Sequence, residues 1–97
     1  MDLSGNPWVI FPGDVPGTGY LEVRAAHEPV FIDSIVWEGY GATTDIVDVK
    51  DGRDRELFFK KGETNTPTLQ QSFYARTPVY GLRVYTLTAG QLYVFLR

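Results

Sequence analysis

The sequence predicts an all-β protein: a single-domain antiparallel β-sandwich, jelly-roll-like, of about eight short strands with an extended N-terminal arm. Three observations carry this. Short runs rich in Val, Ile, Phe, Tyr and Trp recur along the chain, as suits side chains on a pleated, half-buried surface. Turn residues separate them: Gly39 and Gly41, Asp51-Gly52, and Thr88-Ala89-Gly90. No segment between them has the apolar period of a helix. The length of 97 residues makes one domain. A chain of that size buries roughly two thirds of the surface it exposes unfolded, enough for a core without staples.

The elements follow in order. Residues 1–19 hold three of the six prolines and four of the ten glycines, and are read as an arm preceding a sandwich at 20–97. Their one apolar run, Trp8 to Phe11, lies between Pro7 and Pro12, so it is at most a short edge strand. It is expected to dock through Trp8 and Phe11, on its own domain or on a neighbour. In Tyr20–Ala26, Leu21, Val23 and Ala25 share one face, and His27-Glu28-Pro29 closes the run. Phe31–Trp37 breaks its own alternation. Either both faces are buried, or an extra residue near Asp33-Ser34 switches faces. The β-bulge is favoured, because it would let Ile32, Ile35 and Trp37 all point inward.

In Asp45–Lys50, Val47 and Val49 face in. Asp51 to Asp54 form a hairpin turn, with Gly52 read as supplying a positive φ. Leu57 and Phe59 of the next run are read as inward, leaving Phe58 outside. Beyond the polar loop 61–70 lie Gln71–Ala75, Gly81–Leu87 and Gln91–Arg97. The last run alternates Leu92, Val94 and Leu96 with Tyr93 and Phe95, and is expected to sit mid-sheet.

Composition excludes several function classes. The chain has no cysteine, hence no disulfide framework, thiolate metal site or cysteine nucleophile; it fits folding in a reducing cytoplasm. Net charge is −3, and Lys60-Lys61 is the one adjacent basic pair, so phosphate-neutralising contact with nucleic acid is not expected. The N-terminus has no positive region followed by an apolar run, so no signal peptide is read. No run is long enough to span a bilayer, and no membrane partner is expected.

His27 stands alone, without a second His to share a metal. Asp45, Asp48, Asp51, Asp54 and Glu56 are acidic, but they lack calcium-loop spacing and are interrupted by Arg53 and Arg55. Ser4, Ser34 and Ser72 have no base to serve them. The stretch Gly13 to Gly19 lacks the lysine and helix of a phosphate loop. No catalytic residue, cofactor or metal site is therefore assigned, and the chain is expected not to be an enzyme.

Binding is the remaining chemistry. Two Trp, six Tyr and six Phe exceed what a small core easily hides. Tyr40, Tyr74, Tyr80, Tyr85 and Tyr93 could form a stacking platform for sugars or a protein interface. The spacing Ile32-x-x-Ile35-x-Trp37, then Val47-x-Val49-x-Asp51-Gly52, then Leu57, then Gly81-Leu82-x-Val84-x-x-Leu87-x-x-Gly90-x-Leu92-x-Val94 resembles small β-sandwich virion proteins of tailed bacteriophages. Some of these decorate or cement the outer capsid.

The resemblance covers roughly residues 20–97. It implies a non-enzymatic structural protein on the capsid surface of the virion, assembled in the host cytoplasm. Its partners would be copies of itself, as a homo-trimer, and the major capsid protein. Trp8, Phe11 and Tyr40 are the interface residues expected first, while Trp37 is assigned to the interior. The alternative is a carbohydrate-binding or host-recognition module, or a structural subunit of a tail or baseplate.

Overall fold

The computed structural model describes residues 1–73 and 77–97. Among these residues it is all-β, with two antiparallel four-stranded sheets packed face to face. The strands are β1 (Trp8–Ile10), β2 (Leu21–Val30), β3 (Ile32–Glu38), β4 (Ile46–Lys50), β5 (Glu56–Lys61), β6 (Thr68–Ser72), β7 (Val79–Leu87) and β8 (Gln91–Leu96). The first sheet has the order β1-β8-β3-β6 and the second β2-β7-β4-β5. The β8 strand lies mid-sheet, as expected.

Each strand turns its apolar positions toward the opposite sheet. Ile10, Ile35, Trp37, Leu92 and Val94 come from the first sheet; Val47, Val49, Phe58, Leu82 and Val84 come from the second. Burying a side chain of this size contributes about 1.5–3 kcal/mol, so this layer supplies most of the drive to fold. Trp37 is fully buried, and its indole Nε1 donates to the Ala89 carbonyl at 2.8 Å.

The bulge in β3 is present. Ile32 opposes Leu96 and Ser34 opposes Phe95, so Asp33 is the extra residue. The face switch it causes brings Ile32 inward beside Ile35 and Trp37.

Four expectations are corrected. Residues 1–19 do not stand apart from the sandwich. Trp8, Val9 and Ile10 pair with Val94, Tyr93 and Leu92, and both Trp8 and Ile10 are buried. Three apolar residues in a row were enough to close the open edge of β8 despite the flanking prolines.

The alternation of β5 is also reversed: Phe58 is buried and Phe59 exposed. Glu56 opposes Lys50 and Phe58 opposes Val49, so Leu57 is an extra residue that switches the parity. The β2 strand does not stop before His27 but runs on to Val30, with Ala25 to Glu28 bulging outward between the pairs Arg24–Leu82 and Pro29–Tyr80.

The turn glycine, finally, serves a different purpose. Asp54, not Gly52, takes the positive φ, at 61°. A Cβ on Gly52 would meet Ala26 Cα at 2.5 Å and the Tyr80 carbonyl at 2.9 Å, so the absent side chain is what lets three backbones touch. The expected strand end at Ala75 lies outside the described residues.

Candidate functional site

The structure distributes the three expected interface residues differently. Trp8 is 7% exposed, and the Arg24 guanidinium lies 4.3 Å from its ring centroid. It is a core residue with a cationic lid, not an anchor for a partner. Phe11 follows β1 at the start of a 3-10 turn, Pro12–Asp14, where Asp14 accepts from the Phe11 backbone N–H at 2.9 Å. Its ring is 43% exposed and remains available for contact. Tyr40 is half-buried, stacks on Trp37 at a centroid distance of 4.4 Å, and donates its hydroxyl to the Thr66 carbonyl. It braces the loops at one end of the sandwich.

The tyrosines do not converge on one platform. One face of Tyr40 is taken by Trp37. Tyr85 packs against Tyr20 at 5.1 Å, and its hydroxyl donates to Asp54. Arg83 covers Tyr20 at 4.4 Å. Tyr80 is exposed on β7, whereas Tyr93 is half-buried on β8 in the other sheet. Tyr74 lies outside the described residues.

The acidic run is spent on structure. Asp45 accepts from the backbone N–H groups of Gly41 and Ala42. Asp51 is buried and takes the N–H of Arg53 at 2.8 Å, the N–H of Arg55 at 2.9 Å and Arg55 Nε at 2.9 Å. Burial opposes its ionisation, but these donors outweigh it and hold the carboxyl below its ordinary range. Asp54 is lowered by its hydrogen bonds from Tyr85 and then Arg83.

The outer face of the second sheet is correspondingly ionic. Glu22 opposes Arg83, Arg83 opposes Lys50, and Lys50 opposes Glu56, a charged rung across all four strands. Lys50 Nζ reaches Glu56 at 3.4 Å and Asp48 at 3.6 Å. Burial, then the neighbouring Asp48 carboxylate, pushes Glu56 up against the pull of Lys50. Asp48 Oδ1 is buried and has no hydrogen-bond partner among the described residues.

The outer face of the first sheet is a feature that sequence reasoning touched only at Phe31–Trp37, as the alternative that both faces of that strand are buried. Val9 opposes Tyr93, Tyr93 opposes Val36, and Val36 opposes Gln70, again a rung across four strands. Pro7 and Phe95 flank it, and with Val36, Glu38 and Tyr93 they line a shallow concavity. The Glu38 carboxylate beside the Tyr93 hydroxyl pushes that phenol up.

These outward residues are half-buried, although an outer face of an antiparallel sheet is ordinarily polar. The signal was present in the sequence. In Tyr93-Val94-Phe95 and in Ile35-Val36-Trp37 both parities are apolar, which a strand wet on one side does not need. Comparison of the chain with protein-family models, with curated proteins and with solved structures gives no match.

Proposed function

We propose that this chain is a non-enzymatic structural virion protein of the capsid-decoration type, clustering as a homo-trimer where subunits of the major capsid protein meet. It acts by adhesion through the outer face of the first sheet. The observation that carries this reading is the apolar rung Val9–Tyr93–Val36, flanked by Pro7 and Phe95. A contiguous apolar surface rimmed by polar groups is the usual signature of a protein contact. A specific interface takes about 800 Å² from each partner. The face of one sheet is the natural source of that area on a molecule exposing 5432 Å² in all.

The order of pairing adds support. β1 with β8, β2 with β7, β3 with β6 and β4 with β5 form a nested set, one long hairpin rolled into two sheets. This nesting supports reading the sandwich as a jelly roll, an architecture that serves in viral capsids and lectins. Phe11 and Phe31 are also exposed and could add contact area.

The test is Phe95→Glu. Multi-angle light scattering should show an oligomer for the parent chain and a monomer for the variant, and co-sedimentation with capsids of the virus encoding the chain should be lost. A parent chain that is monomeric and ignores those capsids would remove the reading.

A further inference from the structure

The second sheet carries a different kind of surface at its turns. The Asp51–Arg55 turn, the outward bulge of β2 and the start of β7 are locked to one another. Gly52 N donates to the Tyr80 carbonyl at 2.8 Å. Gly81 holds a φ of +80°, and a Cβ on it would sit 2.8 Å from Gly52 Cα and 2.9 Å from Ala26 Cα. No side chain fits between these backbones, so the three segments form one rigid floor.

Four side chains rise around that floor: His27 from the bulge, Arg53 and Arg55 from the turn, and Tyr80 from β7. They enclose an open concavity of about 610 Å³, within the size range of small-ligand sites. Buried Asp51 fixes the backbone under both arginines and holds Arg55 Nε, leaving the rest of that guanidinium outward, with the side chain 68% exposed. Arg53 forms no ion pair among the described residues. Tyr80 is 49% exposed. Among the described residues no carboxylate lines the concavity, in a chain whose net charge is −3.

We propose that this concavity binds an acidic sugar: a saccharide whose carboxylate or sulfate is held by Arg53 and Arg55, with His27 beside it, and whose ring lies on Tyr80. Guanidinium groups present paired donors that match a planar oxyanion. The one-sided flat ring with adjacent cations suits a body that is apolar on one face and anionic at its edge. A fixed floor lowers the ordering cost that exposed arginines otherwise bring to binding. The site lies on the sheet opposite the proposed adhesive face and does not depend on that face being a capsid contact.

The experiment uses the full chain, 15N-labelled, titrated with tetragalacturonate, a heparin-derived tetrasaccharide, cellotetraose and tetraglutamate. At least one acidic saccharide should move the amide signals of Ala26, His27, Arg53, Tyr80 and Gly81. Arg53→Gln should weaken that binding by about tenfold, the worth of one charge-assisted hydrogen bond. Tyr80→Ala should weaken it while leaving the spectrum of the core unchanged. Lys61→Gln, the same charge change elsewhere, should have no effect.

Cellotetraose binding as tightly as the acidic sugars would overturn the proposal. So would tetraglutamate binding more tightly than either of them, equal losses in Arg53→Gln and Lys61→Gln, or no shift with either acidic saccharide.

Discussion

Two rungs, one on each outer face, divide the molecule. Across the first sheet run Val9, Tyr93, Val36 and Gln70; across the second run Glu22, Arg83, Lys50 and Glu56. Both cross four antiparallel strands, and both lie over the same core. The second is largely paired within itself: Arg83 reaches Asp54 at 3.0 Å and Lys50 lies between Asp48 and Glu56, while Arg83 Nε and Asp48 Oδ1 are buried without a partner among the described residues. The first has less polar chemistry to satisfy, and its rings, Tyr93 and Phe95, are half-buried. The difference teaches that the charged rung is mostly occupied by partners within the chain, whereas the apolar rung has few polar groups to pair; the exposed Phe59 and the turn concavity still lie on the second sheet.

On this comparison, a substitution in the self-paired sheet lowers stability, while one on the apolar face alters association. The largest stability effect is expected at the turn of the second sheet. Asp51→Ala removes the buried carboxylate that accepts from two part-buried backbone N–H groups and one largely exposed guanidinium, and should cost about 2 kcal/mol. That is a fall in Tm of about 8–16 °C for a domain this size, checked by calorimetry.

Arg83→Gln comes next. It removes the pair with Asp54, whose carboxylate is more than half exposed, and should cost no more than about 1 kcal/mol. Val36→Thr on the first sheet should change stability least, within about 0.5 kcal/mol, yet weaken self-association. Should Val36→Thr prove as costly to Tm as Asp51→Ala, the two faces would not differ in the way described.

Acid tests the second sheet, whose turn and outer face hold the shifted carboxylates Asp51, Asp54 and Glu56; Asp2 and Asp14, beside β1, are lowered as well. Asp51 and Asp54 both lie below their ordinary 3.8 when folded. Their contribution is complete above that value and is lost as pH falls through the lower, folded one. Glu56 has the opposite sign: raised when folded, it contributes fully below its ordinary 4.5 and loses that contribution as pH rises through its folded value. Urea denaturation at stepped pH should show the parent losing stability below about pH 4. Asp51→Ala should lose less there, and Glu56→Gln should lack the decline on the alkaline side.

The sandwich was legible because alternation and turn residues are local. So was the β3 bulge, since Ile32, Ile35 and Trp37 cannot share a face without an extra residue between them. What failed needed a partner strand to decide it. Nothing in Glu-Leu-Phe-Phe says that Leu57 is the extra residue; pairing with Val49 and Lys50 says so. Trp8 looked like an anchor because its neighbours are prolines, while the strand that receives it lies more than eighty residues away.

Gly52 was recognised as necessary, but the reason, contact with Ala26 and Tyr80, is tertiary. The concavity of His27, Arg53, Arg55 and Tyr80 was hidden in the same way, for its members come from three separate segments. The apolar outer face alone could have been read directly, from strands apolar at both parities.

The pairing of β1 with β8 carries a mechanical consequence. Trp8 lies opposite Val94 and Ile10 opposite Leu92, and Asn6 both donates to the Leu96 carbonyl and accepts from its N–H. Tension applied through Pro7 and Arg97 therefore meets those bonds singly, starting at Asn6, and unzips the strands instead of shearing them together. If the chain serves on a capsid as proposed, a swelling shell that pulled along the chain would peel it apart, whereas a load applied broadside would not.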